Sequence, residues 1–464
     1  MSRATVLGLA MLLGIPPAAL AQTSATERRH EEQVRAALDP AELAILKKER
    51  RLVTDYGIWI NHLFSDFKDD DNDAGRKDVT NATYAIDTRG WARFTLRPPL
   101  DGPSQREHSL YLRLKDKSTW RDPSDANGNF DHNGPHVDYL FLAADWRPLL
   151  LQVGRRLYGV GQGLAYSDLG DGIELLATSS LASLMGLVAR SLPHQDNLDL
   201  SVPNGKRSGR MFYGLEGRYL GIRDHGLYSF LLFEQDDADE DPLEADRDYK
   251  YTAQYYGGGV EGKALANLRY VTEVVFETGH SSRSASTDHS EIRAWAMDAS
   301  VTYDAQLPLQ PTVYGEYAFG SGDADRTNVT DTTSGNTSGR DANFLYFGYL
   351  PTGYALSPRL SNLRMLKGGV ALKPLEWLPW CKEFTLSADL YWFWKDEPLG
   401  GVFDTDATEA NREIGSEWDV TLTWPLLSDL RAALEYGRFS PGAAYPTATN
   451  DDTRYLSVSV TTTF

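Results

Sequence analysis

The chain is poor in cysteine, in cations and in long apolar runs. One cysteine, Cys381, occurs in 464 residues, so no internal disulfide can form, and no Cys-x-x-Cys-His stretch could attach a c-type haem. Lysine and arginine number 46 against 65 aspartates and glutamates, for a formal net charge of -19. That balance excludes a nucleic-acid partner, because phosphate contacts need clustered cations. Past the N-terminal segment no stretch reaches the roughly 18 apolar residues of a helical membrane span. The nearest, Ile173 to Leu192, is interrupted by Thr178-Ser179-Ser180 and Ser183 and carries Arg190, so it reads as two strands joined by a tight turn. Signatures of catalysis are missing too: there is no G-x-S-x-G elbow, no H-E-x-x-H and no P-loop. The nine histidines are scattered, with only His132 and His136 sharing a loop.

What the chain has instead is 24 Tyr, 17 Phe and 11 Trp beside 40 Gly, the composition of pleated surfaces joined by turns. Met1-Ser2-Arg3, the apolar run Ala4 to Ile15 and Ala19-Leu20-Ala21 follow the order of a secretory signal peptide, expected over residues 1–21 with cleavage before Gln22. Residues 22–54 are charged and helix-prone, with Asp39-Pro40 placed as N-cap and first helical residue, and read as a short periplasmic helical arm. It is either a docking arm for a periplasmic partner or a frayed leader.

From residue 55 to 464 the pattern has period two. Leu456, Val458, Val460 and Phe464 fall on one face of the last segment, and Tyr455, Ser457, Ser459, Thr461 and Thr463 on the other. The same alternation places Leu110, Leu112 and Leu114, then Trp295, Met297, Val301 and Tyr303, then Leu390, Trp392 and Trp394, then Trp418, Val420, Leu422 and Trp424 each on one face. A soluble sandwich also alternates, but its loops are short at both ends. Here short breaks such as Asp145 to Pro148 and Pro425 to Asp429 alternate with long polar stretches such as Ser65 to Asn81, Asp116 to His136 and Gly320 to Asn362. Short turns on one side and long loops on the other are the signature of a transmembrane antiparallel β-barrel in a Gram-negative outer membrane. Walking the chain by that rule predicts about eighteen strands, an all-β fold. The terminal aromatic strand resembles the signal read by the barrel assembly machinery, and Trp377, Trp380, Trp392, Trp394 and Trp424 suit interfacial girdles in outer-membrane lipid.

Strand parity sends Arg89, Arg93, Arg113, Lys115, Arg210, Arg218, Arg269 and Arg431 into the lumen, with Glu216, Glu273, Asp389, Glu417, Asp419 and Glu435. The wall is therefore mixed, and the excess acid sits in loops. Alternate oxygen ligands at Asp125, Asn127, Asn129 and Asp131 have the form of a Ca²⁺ loop, although the EF-hand glycine and final glutamate are missing; the other reading is a solvated loop. No other cofactor is expected. In the stretch 320–362, Phe344, Tyr346, Phe347, Tyr349 and Tyr354 are costly at a surface, so this loop is expected to fold over or into the pore, either stacking on sugars or packing as a plug.

Residues 140 to 464 resemble the alginate export family of outer-membrane proteins. The resemblance rests on Val153-Gly154-Arg155-Arg156 with Gly161-Gln162-Gly163 and Asp171-Gly172-Ile173-Glu174, on Tyr317-Ala318-Phe319-Gly320-Ser321-Gly322, on Leu360-Ser361-Asn362-Leu363, on Trp392-Phe393-Trp394, on Glu413-Ile414-Gly415-Ser416-Glu417-Trp418-Asp419, on Gly437-Arg438-Phe439-Ser440-Pro441-Gly442 and on the terminal Phe464. It implies a monomeric eighteen-stranded barrel whose cationic pore passes a polyuronate outward, aided by periplasmic scaffold proteins. By motif it implies pore roles for Arg155 or Arg156, Asp168, Arg359, Arg364 and Arg438. The expected function is export of an anionic, alginate-like polysaccharide without chemistry; the alternatives are a diffusion porin for small solutes, an outer-membrane enzyme and a sheath for an electron-transfer partner.

Overall fold

A computed structural model describes residues 51–69, 79–97, 107–125, 128–192, 210–236, 251–283, 288–326, 329 and 335–464. The segments expected to be a signal peptide and, for almost all of its length, a helical arm lie outside the described residues. Where the arm was expected to end, Arg51 to Thr54 already pair with Phe94 to Arg97, so the first strand begins four residues before the predicted boundary at residue 55.

Among the described residues there are eighteen strands: β1 Arg51–Asp69, β2 Val79–Arg97, β3 His108–Asp125, β4 Gly128–Asp145, β5 Leu149–Val160, β6 Tyr166–Thr178, β7 Ala182–Ser191, β8 Met211–Ile222, β9 His225–Gln235, β10 Tyr251–Leu265, β11 Leu268–Ser282, β12 His289–Asp304, β13 Thr312–Gly320, β14 Leu363–Leu372, β15 Thr385–Lys395, β16 Glu413–Pro425, β17 Leu430–Pro441 and β18 Thr453–Thr463. Each pairs antiparallel with its sequence neighbours, and β18 pairs with β1 from Trp59 opposite Thr463 to Asp69 opposite Thr453. Phe464 continues the seam, its N–H donating to the Ile58 carbonyl at 2.8 Å while its own carbonyl accepts from Ile58 at 3.0 Å. Closure leaves no open edge, which is the condition for a sheet in lipid.

Alternation is the reason these segments are strands. Leu110 and Leu114, Leu227 and Leu231, Val301 and Tyr303, Leu390 and Trp392 are all exposed on the outside, where lipid and not water is their solvent. The Ile173 to Leu192 stretch is indeed two strands, β6 and β7. The polar stretch Asp116 to His136 is different from expectation: β3 and β4 run through most of it and meet at Asp125 opposite Gly128, because hydrogen-bonded extension tolerates polar residues where strands rise beyond the apolar band. At the short-turn end Trp377 and Trp380 are exposed, and Trp380 packs 5.6 Å from Trp424, in keeping with an interfacial girdle.

Candidate functional site: the bore and the loop folded into it

The connection between β13 and β14, Ser321 to Asn362, enters the barrel. Its anchor points follow one another around the wall. Arg326 and Asp341 form a buried ion pair, and Asp341 exchanges backbone hydrogen bonds with β12: its N–H donates to Glu291 at 3.0 Å, and Arg293 donates to its carbonyl at 2.8 Å. Leu345 N–H donates to the Glu277 carboxylate of β11 at 2.9 Å, and the Tyr255 hydroxyl of β10 donates to the Leu345 carbonyl at 2.7 Å. Phe347 then bonds Ala165 and Ser167, beside the start of β6. The chain returns to the opposite flank, where Glu417 of β16 accepts N–H groups from Tyr354 and Ala355, both at 2.7 Å, and from Leu356 at 2.9 Å. Gly353 makes this possible, with φ at 113° and no room for a Cβ, which would stand 2.6 Å from the carboxylate.

The fold of the loop is apolar in origin. Phe344, Leu345, Tyr346 and Phe347 are buried, with Phe347 edge-on to Phe212 at 5.1 Å and Tyr166 stacked on Phe212 at 4.1 Å. Of the two readings open for these rings, stacking on sugars or packing as a plug, Phe344, Tyr346 and Phe347 take the second and pack against the wall, because burying each is worth about 1.5–3 kcal/mol. Tyr349 stays exposed and Tyr354 half-buried, its hydroxyl 2.8 Å from Thr421.

The loop divides the lumen. Inward residues of β8 to β12, such as Phe230, Leu232, Ala253, Val275 and Ile292, lie beneath it and are buried, as are Tyr158 and Val160 at the end of β5, whereas Arg89, Arg113, Lys115 and Arg156 of β2, β3 and β5 stay half-buried beside the bore. On that wall stands a row of cations, each paired with a carboxylate and the three arginines also stacked on a ring. Arg89 lies 2.7 Å from Asp87, 3.5 Å from Asp138 and 4.5 Å over the Trp59 ring. Arg113 lies 2.6 Å from Asp138 and 4.0 Å over Tyr139; Lys115 is 4.0 Å from Asp87. Arg156 is 3.1 Å from Glu174 and 5.2 Å from the Tyr158 ring. Stacking on a ring holds a guanidinium plane in place while leaving edge N–H groups for an oxyanion. Across β13 to β17 the wall is acidic, with Lys367 between Glu316 at 4.0 Å and Asp389 at 3.9 Å, and with Glu417, Asp419 and Glu435 nearby in the same parity.

The residues predicted for the pore separate into two sets. Arg113, Arg156, Arg218 and Arg269 face inward, as does Asp168 by parity, opposite Tyr158. Arg218 pairs with Glu216 at 3.1 Å and with Glu261, and Arg269 with Asp304 at 2.9 Å near the short-turn end. Arg359 sits on the inner loop, 4.8 Å over Tyr346. Arg155, Arg364 and Arg438 do not face the bore: Arg155 stands opposite Leu140 and Asp171, Arg364 shares the outward parity of Leu366, and Arg438 stands opposite Trp418. Adjacent arginines such as Arg155 and Arg156 necessarily point to opposite faces of a strand. Asp138 escaped the sequence reading because a bulge between Arg113 and Leu114 places it out of simple parity, while Asp87 shares the inward parity of Arg89 and was there to be found.

Of the four Ca²⁺ candidates, Asn127 and the side chain of Asp125 lie outside the described residues. Asn129 and Asp131 are exposed, and Asp131 lies 3.8 Å from Arg121. Among the described residues no group of His, Cys, Asp and Glu is gathered closely enough to hold a metal ion.

The family model for alginate export matches residues 193–459. No curated protein matches the chain. Among solved structures the barrel resembles three Pseudomonas aeruginosa outer-membrane proteins. OccK5 (OpdH) superposes with a TM-score of 0.56 at 11% identity, covering 89% of this chain and 98% of that one. OccK8 (OprE) gives 0.56 at 12% identity, and OpdK, solved with vanillate, 0.55 at 12%, both with the same coverage. At that identity the likeness is one of fold, the fold of outer-membrane porins, and fold and family alike are those of transport channels and not of enzymes.

Proposed function

The chain belongs to the alginate export family, and from that premise we propose that it passes an anionic, alginate-like polysaccharide outward across the outer membrane of a Gram-negative bacterium. The observation that carries this reading is the row Arg89, Arg113, Lys115 and Arg156 along the wall that the loop leaves open. Each cation is already partly neutralised by Asp87, Asp138 or Glu174, so a uronate passing by exchanges one weak contact for the next and is never trapped, as conduction requires. Arg359 and the exposed Tyr349 on the inner loop supply a further cation and a ring for a sugar face. A periplasmic scaffold that delivers the polymer to the short-turn end belongs to the same proposal.

A second reading, a diffusion channel for small solutes, is favoured by the loop itself, which occupies part of the bore and sets acidic β13 to β17 beside the cations. The two readings separate in planar bilayers. Polyuronate oligomers should interrupt single-channel current in a length-dependent way, and neutral oligosaccharides of equal length should not. Deletion of the gene should abolish secretion of the acidic polymer. Monosaccharide-sized blockers acting as well as polyuronates, with secretion intact, would establish the diffusion channel instead.

A further inference from the structure

The outward faces change character at the end that carries the long loops, which is the extracellular end in a barrel of this kind. Along β18 the outward series Val460, Val458, Leu456 is lipid-like and then reaches Arg454. Arg454 stands directly opposite Arg438 of β17 on one side and Lys68 of β1 on the other, so three cations lie in a row across three strands, all on the outward parity. Like charges placed opposite one another weaken a sheet. Asp452 relieves part of this, accepting from Arg438 Nε at 2.8 Å, and Asp66 lies on the same face two residues from Lys68. A second group lies about a third of the way round the barrel, where Asp171 of β6 has Arg155 opposite it on β5, paired at 2.8 Å, and Arg190 opposite it on β7, two cations to one acid. Trp418, opposite Arg438, packs 5.2 Å from Tyr436 and marks the height at which apolar band gives way to polar interface.

An outward cation excess is unexpected in a chain of net charge -19. The Lys68, Arg454 and Arg438 row stands one step above the apolar band of β18, at the height of a fixed layer of anions. We propose that the Lys68, Arg454 and Arg438 row and the Arg155 and Arg190 pair bind phosphate groups of lipopolysaccharide in the outer leaflet, ringing the barrel with that glycolipid. Guanidinium forks take phosphate oxygens in pairs, and at a wet interface each cation adds modest attraction that accumulates over the row. The inference is independent of what passes through the bore.

The test uses the purified full barrel in neutral detergent with chelator present, so that divalent cations do not bridge. Binding of bisphosphorylated lipopolysaccharide is compared with binding of the same glycolipid after enzymatic removal of its phosphates, by native mass spectrometry and by the rise in thermal unfolding temperature. The wild type should bind the phosphorylated form and show little response to the dephosphorylated one. Arg438→Gln with Arg454→Glu should weaken binding on the order of tenfold. Arg147→Ala, which removes an exposed cation at the short-turn end, should leave it unchanged. Equal binding of both glycolipids by the wild type would overturn the proposal even if the double variant fails to fold, and so would equal losses in the Arg147 and Arg438/Arg454 variants. Binding of phosphatidylglycerol as tight as that of lipopolysaccharide would reassign the rim to any anionic lipid and overturn the stated specificity.

Discussion

The Arg113 guanidinium lies 2.6 Å from the Asp138 carboxylate and 4.0 Å over the Tyr139 ring, so a single inward cation is paired and stacked at once. Asp138 also lies 3.5 Å from Arg89, which makes this bulged residue the link between two rungs of the cationic wall.

Replacing Arg113 by Ala should lower the anion preference of the open channel, and Asp138→Asn should raise it. A contact in a wet, partly screened site is worth about 0.5–1 kcal/mol, which corresponds to roughly a two- to fivefold change in the anion-to-cation permeability ratio. Reversal potentials under a salt gradient measure it. Opposite signs for the two variants are the expected outcome; no shift in either would remove the wall from the conduction path.

Arg326 and Asp341 are a buried pair that ties the inner loop to itself, and Ser281 of β11 also donates to Asp341 at 2.7 Å. Arg326→Met leaves that carboxylate without its charge partner and should cost about 3–5 kcal/mol locally. The loop should then exchange amide hydrogens faster over residues 341–347, and the single-channel current should become larger and noisier, with the barrel's own unfolding little changed.

Glu417 holds three successive N–H groups of the returning segment. Each hydrogen bond to a carboxylate contributes about 1.5–3 kcal/mol. Glu417→Ala should free residues 353–356 and widen the bore, seen as faster passage of large neutral probes. Glu417→Gln, which keeps one acceptor oxygen, should have a smaller effect.

Asp325, in the loop, accepts from the Thr337 hydroxyl and from both the hydroxyl and the N–H of Ser338, each at 2.8 Å. Burial pushes its carboxyl up, but those donors outweigh burial and hold it below the ordinary value. A depressed folded value means that the clasp is fully present above the unfolded carboxylate range and is lost as pH falls through the folded one. Between about pH 6 and about pH 3, protection of residues 335–345 from hydrogen exchange should therefore fall. Asp325→Asn should show reduced protection already at the upper end and little further change.

Much of the barrel was readable in advance because a strand's two faces alternate with period two, a rule that acts within a few residues. Hence Leu110, Trp295 and Trp418 were placed outward and Arg113, Arg218 and Arg269 inward from the string alone. The alternation of short breaks with long polar stretches likewise led to eighteen strands. The same rule, applied to Arg155 and Arg156, shows that at most one of two neighbours faces a given side, yet it does not say which.

Composition and alternation settled that the body would be a closed antiparallel sheet with a wet interior, since both are properties of nearby residues. Only the folded molecule decided that Arg155, Arg364 and Arg438 look outward, that Asp138 joins the cationic wall through a bulge, and that Phe344, Tyr346 and Phe347 serve packing. Those outcomes depend on register and on contacts between segments as distant as Leu345 and Tyr255. Such contacts exist only after the sheet has closed, when the loop can exchange water for the inner wall.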